Sequence, residues 1–133
     1  MEMQFINPRE LPKPVGFTHG IAVTQPSRML FLAGQCGYDS QGKVVAPGDL
    51  VAQFDQALAN FGPVLRDAGL DYGNIVRMDI FVLSRDDYLA RLEPLGRAFR
   101  RHFGRHYPAM ALFEVRGLFD PQALVEVTAT ACS

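Results

Sequence analysis

The chain has no tryptophan, only two lysines among its 133 residues, and two cysteines, Cys36 and Cys132. Two cysteines are too few for a disulfide framework, so free, reduced thiols are expected. No apolar run reaches the roughly 18 residues that cross a bilayer, and the N-terminus lacks the basic start and apolar segment of a secretory signal. These absences exclude a disulfide-rich secreted domain and predict a cytoplasmic protein that does not bind a membrane.

The chain also has no large excess of positive or negative charge, since its formal net charge is -1. No whole-molecule field therefore attracts nucleic acid. Arg97, Arg100, Arg101 and Arg105 cluster near the end of a predicted helix, where the helix dipole favours positive charge without any ligand. No platform of exposed aromatic residues accompanies this cluster, so a nucleic-acid partner is disfavoured.

The length of the chain and the positions of its prolines predict one domain over residues 16–133, preceded by an extended arm over residues 1–15. Pro8, Pro12 and Pro14 remove backbone donors from this arm. The first strand should therefore begin only after it.

Runs of apolar and β-branched residues predict the strands of the domain. Phe17–Val23 and Met29–Cys36 are joined by Gln25–Arg28, a spacing that is typical of a hairpin. A short strand is expected at Val44–Val45. The later predicted strands are Ile75–Leu83, Ala109–Val115 and Ala123–Ala131.

Two amphipathic helices are predicted, and each contains a proline. Asp49 and Ser84 have the chemistry of N-caps for them. Pro63 removes an internal hydrogen bond and predicts a kink near residues 59–63, and Pro94 predicts that the second helix is interrupted and restarts. The apolar stripes are Val51, Phe54, Leu58, Phe61, Leu65 and Ala68 in the first helix, and Tyr88, Leu92, Leu95, Phe99 and Phe103 in the second.

The order of these elements predicts an α+β fold in which two helices cover one face of a mixed sheet of six strands. Each of the last two strands places a carboxylate, Glu114 or Glu126, among apolar neighbours. Burying a carboxylate costs several kcal/mol unless it is paired or lies in a wet cleft. One of these two acids is therefore expected to face a functional site.

Short motifs in a defined order run through nearly the whole chain, from Gly16 to Ala131. They are Gly16–Gly20, Ala33–Gln35, Gln56–Asn60, Asn74–Met78, Pro108–Met110 and Leu124–Val127. Together they resemble the Rid (reactive intermediate deaminase, YjgF-like) family. The resemblance implies a chorismate-mutase-like fold and a homotrimer with small-molecule clefts between subunits. It also implies hydrolysis of enamines and imines, such as 2-aminoacrylate, to keto acids and ammonia without a metal or organic cofactor.

The chain departs from the family pattern at the substrate-binding arginine, whose place is taken by Met110. A thioether cannot make the bidentate contact with a carboxylate that a guanidinium makes. The resemblance therefore implies a divergent member. Other family positions, those of a tyrosine, two serines and a neighbouring subunit's asparagine, correspond here to Thr18, His19, Ala33 and Leu92. The family residues that remain are Gly34, Gln35 and Glu126.

Glu126 and His19 are the candidate catalytic residues. Glu126 could activate a water or relay a proton at an imine carbon, or it could be a structural acid paired with Arg77 or Arg116. His19 could act as an acid, a base or a hydrogen-bond donor, or be a half-exposed histidine beside Gly20. The candidate substrate-binding residues are Thr18, Ala33, Gly34, Gln35, Leu92 and Met110.

Cysteine and histidine side chains are the other candidates for a nucleophile or a metal ligand. Cys36 has no evident charge partner, which favours a packed small hydrophobe over a nucleophile. His102 and His106 have the spacing of a helical metal site, but Gly104 ends the helix between them and no third ligand stands out. No metal is expected.

Two functional interpretations stay open. One is a trimeric hydrolase of the enamine/imine deaminase type. The other is a non-catalytic ligand-binding or regulatory trimer that has lost this chemistry. Both predict a small-molecule ligand in a cleft between subunits, and the sequence does not name that ligand.

Overall fold

The computed structural model describes residues 1–133 as six strands and four α-helices. The strands are β1 (Glu2–Ile6), β2 (Gly20–Thr24), β3 (Met29–Cys36), β4 (Ile75–Val82), β5 (Ala109–Glu114) and β6 (Val125–Cys132). The helices are α1 (Leu50–Ala59), α2 (Phe61–Asp67), α3 (Arg85–Ala90) and α4 (Leu92–Phe103), with a 3-10 turn over Tyr72–Asn74. No helix is long and apolar enough to cross a bilayer.

The predicted α+β architecture is confirmed, with the helices packed on a mixed sheet. Four strands form the main sheet in the order β3-β6-β4-β5, where β4 and β5 run parallel and the other neighbours antiparallel. The remaining two strands, β1 and β2, form a separate antiparallel pair. Thr18 joins this pair to the edge of the main sheet, because its backbone N–H donates to Pro108 O at 3.1 Å beside a bridge to Ala109. The six strands therefore form two sheets rather than one.

Three predictions about the first 45 residues differ from the structure. A strand already forms at Glu2–Ile6, which lies before the first proline and pairs with β2. The predicted hairpin between the second and third strands does not form. The N–H groups of Ser27 and Arg28 instead donate to the carbonyl of Ser133, which directs β3 to the C-terminal strand. The expected strand at Val44–Val45 is reduced to a single bridge between Tyr38 and Val44.

The two predicted helix interruptions are confirmed. The first helix breaks at Asn60, between α1 and α2, within the predicted region. The second breaks at Arg91, between α3 and α4. Both predicted caps also form: an Asp49 carboxylate oxygen accepts from Ala52 N at 3.0 Å, and the Ser84 hydroxyl accepts from Asp87 N at 3.1 Å.

The core lies between the helices and one face of the main sheet. In β6 the residues Val125, Val127 and Ala129 are buried against the helices, while the intervening side chains point to the opposite face. This opposite face carries no helix and is called the open face below. One member of the predicted stripe in the second helix is not in the core, because Leu92 is 54% exposed.

Candidate functional site

Glu126 lies on the open face of the main sheet, opposite Phe81 of β4 on one side and Cys36 of β3 on the other. A bulge in β3 produces this arrangement. Between Leu32 and Gln35 the strand contains one more residue than β6 does over the same stretch. The extra residue reverses the alternation of β3, so Cys36 shares a face with Glu126.

The carboxylate of Glu126 rests directly over the backbone of Gly34. A Cβ atom built on Gly34 would lie only 2.9 Å from Cδ of Glu126, closer than side chains approach, so the carboxylate occupies the space that a side chain would need. The Cys36 thiol donates to Oε1 of the same carboxylate at 3.4 Å. The glycine and the thiol together hold the carboxylate in place.

The carboxylate of Glu126 has no cationic partner in the chain. Arg77 pairs instead with Asp79 at 2.6 Å, and Arg116 makes no ion pair. The structural alternative, in which one of these arginines neutralises Glu126, is therefore not what the chain forms. An acid whose only donor is a thiol keeps lone pairs free for a water or a ligand.

Cys36 is a hydrogen-bond donor rather than a nucleophile. Burial raises the pKa of its thiol to about 12, with further contributions from the hydrogen bond to Glu126 and from that carboxylate's charge. At neutral pH the sulfur therefore keeps its proton and can donate it to Glu126. The prediction of a packed small residue holds, since Cys36 is buried. The thiol contact with Glu126 was missed, because the bulge that creates it has no signature in the sequence apart from Gly34.

His19 contacts the N-terminal segment. Its Nε2 lies 2.7 Å from the carbonyl oxygen of Pro12, and its ring packs edge-on against Phe17 at 5.0 Å between centroids. The neighbouring Thr18 is buried, and its hydroxyl donates to the carbonyl of Tyr107 at 2.6 Å. Both polar groups are thus engaged by the backbone, and neither contacts Glu126.

Met110 and Leu92 line a cavity of about 640 Å³ on the face of the sheet that carries the helices. Met110 pairs in register with the fully buried Met78 on β4, three residues before Phe81, which lies beside Glu126. Three residues along a strand reverse the face. Met110 and Glu126 therefore lie on opposite faces of the sheet within one chain.

The remaining predicted residues divide between the same two faces. Ala33 is exposed next to Gly34 in the bulged part of β3. Gln35 is in register with Val127, on the helix side, where its Oε1 accepts from the Tyr38 hydroxyl at 2.6 Å. Of the predicted set, the structure brings Glu126 together with Gly34, and Met110 together with Leu92.

The two histidines with the spacing of a helical metal site have separate partners. His102 Nε2 lies 2.8 Å from an oxygen of Asp55, and His106 Nε2 lies 2.6 Å from the carbonyl of Ile75. No three histidine, cysteine or acidic side chains of the chain lie together in an arrangement that could hold a metal ion. The cavity beside Met110 contains one charged residue that sequence reasoning did not place there, Arg100.

Comparison with known proteins identifies the family. Residues 12–133 match the family model described as Endoribonuclease L-PSP. The crystal structure of YyfB from Yersinia pestis, a protein of unknown function of the conserved Rid protein family, matches with a TM-score of 0.87 at 32% identity and covers 100% of both chains. The chain belongs to the Rid (YjgF-like) family. The resemblance predicted from its motifs is thereby confirmed.

Other Rid-family relatives carry more specific names. A 2-iminobutanoate/2-iminopropanoate deaminase of Capra hircus is 27% identical over 116 residues, 86% of this chain and 80% of the relative. The RutC family protein slr0709 of Synechocystis is 32% identical over 133 residues, 98% of this chain and 97% of the relative. The Rid chain described here therefore has relatives named as imine deaminases.

Proposed function

We propose that this Rid protein is a cytoplasmic hydrolase that converts an imine or enamine to a carbonyl compound and ammonia, with Glu126 as its acid and base. The observation that carries the proposal is the Glu126 carboxylate, which lies over Gly34 with a thiol donor and no cation. The relatives named as imine deaminases support the reaction class. No metal or organic cofactor is needed for this hydrolysis.

The reaction follows from the position of the carboxylate. Glu126 accepts a proton from a water whose oxygen adds to the carbon of the C=N bond, and the nitrogen gains a proton. The resulting carbinolamine breaks its C–N bond, ammonia leaves, and the carbon becomes a carbonyl. An enamine enters the same sequence after protonation at carbon. The Cys36 thiol keeps one carboxylate oxygen occupied, which directs the other toward the water.

The open face would become a cleft where subunits meet, as in a homotrimer. Phe31 is 74% exposed and Phe113 is 45% exposed on this face, and Met29 is 57% exposed at its edge. Apolar side chains of this size on one sheet face indicate an interface. We expect sedimentation to give the mass of three chains at micromolar concentration. A monomer under these conditions would remove the cleft from the proposal.

The substrate should have a larger apolar part than 2-iminopropanoate. No cation of the chain pairs with Glu126 to hold a small substrate by its carboxylate, and the exposed side chains of Phe31 and Phe113 make the open face apolar. We therefore expect ammonia to be released faster from the imine generated by oxidising leucine than from the one generated by oxidising alanine. The measurement is ammonia release above the spontaneous rate. No acceleration with either imine would contradict the proposal, and a preference for the alanine product would contradict the role given to the apolar open face.

A second candidate function is non-catalytic ligand binding. The cavity beside Met110 favours it, because 12 of its 15 lining residues are hydrophobic and it lies on the opposite face of the sheet from Glu126. A regulatory Rid protein would bind a ligand there without releasing ammonia from any imine.

A further inference from the structure

The cavity between α4, β5 and the segment Val15–Phe17 has the size and lining of a small-molecule site. Its volume of about 640 Å³ lies within the usual range of roughly 300–1,000 Å³ for ligand pockets. Its apolar wall includes Phe54 and Ile80 from the core side and Phe99 from α4. An apolar ligand body would be surrounded on several sides.

Arg100 is the one charged residue that lines this cavity, and it makes no ion pair within the chain. Its neighbours on α4 are occupied: Arg97 pairs with Glu93 at 2.6 Å and Arg101 with Asp55 at 3.2 Å. A carboxylate partner within the chain therefore accounts for Arg97 and Arg101 but not for Arg100, whose place near the helix end is favoured by the helix dipole alone.

The guanidinium of Arg100 is folded back along α4 toward the cavity. A Cβ built on Gly96, which also lines the cavity, would lie 3.1 Å from Nη1 of Arg100. The glycine thus leaves the space in which the guanidinium rests. Arg100 is also exposed, so its guanidinium is in contact with water as well as close to the cavity lining.

A tyrosine hydroxyl adds a neutral donor to the same cavity. Tyr88 lines it, packs edge-on against Phe54 at 6.3 Å between centroids, and makes no side-chain hydrogen bond within the chain. Burial raises the pKa of Tyr88, so its hydroxyl stays protonated at neutral pH. A hydroxyl in an apolar wall without a protein partner is available to a ligand oxygen.

We propose that this cavity binds an amphipathic monocarboxylate, with its apolar body against the Phe54 and Phe99 wall and its carboxylate on the Arg100 guanidinium. The Tyr88 hydroxyl donates to the same anionic head. A single cation with no second positive group matches one carboxylate rather than a phosphate ester, which carries more charge. This inference rests on the ligand-binding part of the proposed function and is independent of hydrolysis.

The test is calorimetric titration of the full chain with octanoate and with octanamide, its uncharged analogue of the same length. Octanoate should bind at least about tenfold more tightly, since a hydrogen bond to a charged group contributes that much or more. In Arg100→Gln the advantage of octanoate should disappear while octanamide binding is retained. Arg97→Gln, on the same helix but paired outside the cavity, should bind octanoate as wild type does.

Three outcomes would overturn the proposal. They are the absence of octanoate binding at millimolar concentration, equal affinities for octanoate and octanamide in the wild type, and full octanoate affinity in Arg100→Gln. Tyr88→Phe is a second variant that keeps the ring packing, and it should weaken octanoate binding by a smaller factor. Binding is measured here without turnover, so a failure to release ammonia from imines leaves this result unaffected.

Discussion

Glu126→Gln should lower the rate of ammonia release from imines by at least about a hundredfold, the usual contribution of a general acid or base. The amide has nearly the shape of the carboxylate and its oxygen can still accept from Cys36, but it cannot take a proton from water. The fold should be unchanged, and the loss should appear in kcat. Steady-state kinetics with the leucine-derived imine measure kcat and KM.

The matched control is Glu114→Gln on β5. Glu114 accepts from the backbone N–H of Arg85 at 2.7 Å, a bond that a glutamine oxygen can also accept. Ammonia release by this variant should stay close to that of the wild type. Full activity in Glu126→Gln would remove Glu126 from the mechanism, whereas equal losses in both variants would point to a general effect of charge.

Gln53→Leu should reduce the free energy of unfolding by about 2–4 kcal/mol, because it leaves several buried polar groups without partners. Gln53 is completely buried in α1. Its Nε2 donates to the carbonyls of Ala46 and Gln122 at 3.2 and 3.3 Å, and its Oε1 accepts from Leu124 N at 2.8 Å. The amide thereby joins α1 to the segment that precedes it and to the segment that precedes β6. Urea unfolding at fixed protein concentration measures the change.

Gln56→Leu, one turn further along α1, is the control for Gln53→Leu. Its amide donates only to the side chain of Asn60, at 2.9 Å, and it is half-buried. The expected loss is about 1 kcal/mol or less, the net value of an ordinary hydrogen bond. If the two variants lost equal free energy of unfolding, the hydrogen bonds of Gln53 to the loops would not be the source of its contribution to stability.

Local signals in the sequence were sufficient to predict where the helices begin and break. The apolar period, the caps at Asp49 and Ser84 and the interrupting prolines all act within a few residues, so the breaks at Asn60 and Arg91 follow from them. The strand patterns likewise located β4, β5 and β6, because their alternation reflects burial against the helices.

Strand partners were harder to predict, because pairing is decided between distant residues. The spacing around Gln25–Arg28 fits a hairpin, but the carbonyl of Ser133 binds the connector instead. The first strand, Glu2–Ile6, was missed for a related reason. The prolines that follow it suggested an unpaired arm, although none of them lies within the strand itself.

The candidate site was predicted in part. Glu126 was identified by its carboxylate in an apolar strand, and its neighbour Gly34 by the family motif. Its partner Cys36 is 90 residues away in sequence and depends on a bulge. Arg100 was assigned to the helix dipole, since no linear pattern reports which way a flexible side chain folds. The cavity that it lines exists only once the fold has brought α4 and β5 to its two sides.

The additional residue in β3 exchanges the two faces of the sheet for the residues that follow it in the strand. Gln35 and Cys36, the last two residues of that strand, point to the opposite faces from those that an unbroken alternation would give them. If the same sequence paired without the bulge, Gln35 would lie opposite Glu126 and the sulfur of Cys36 would point toward the helices. The group that contacts the Glu126 carboxylate is thus decided by the pairing register of β3 as much as by its residue types.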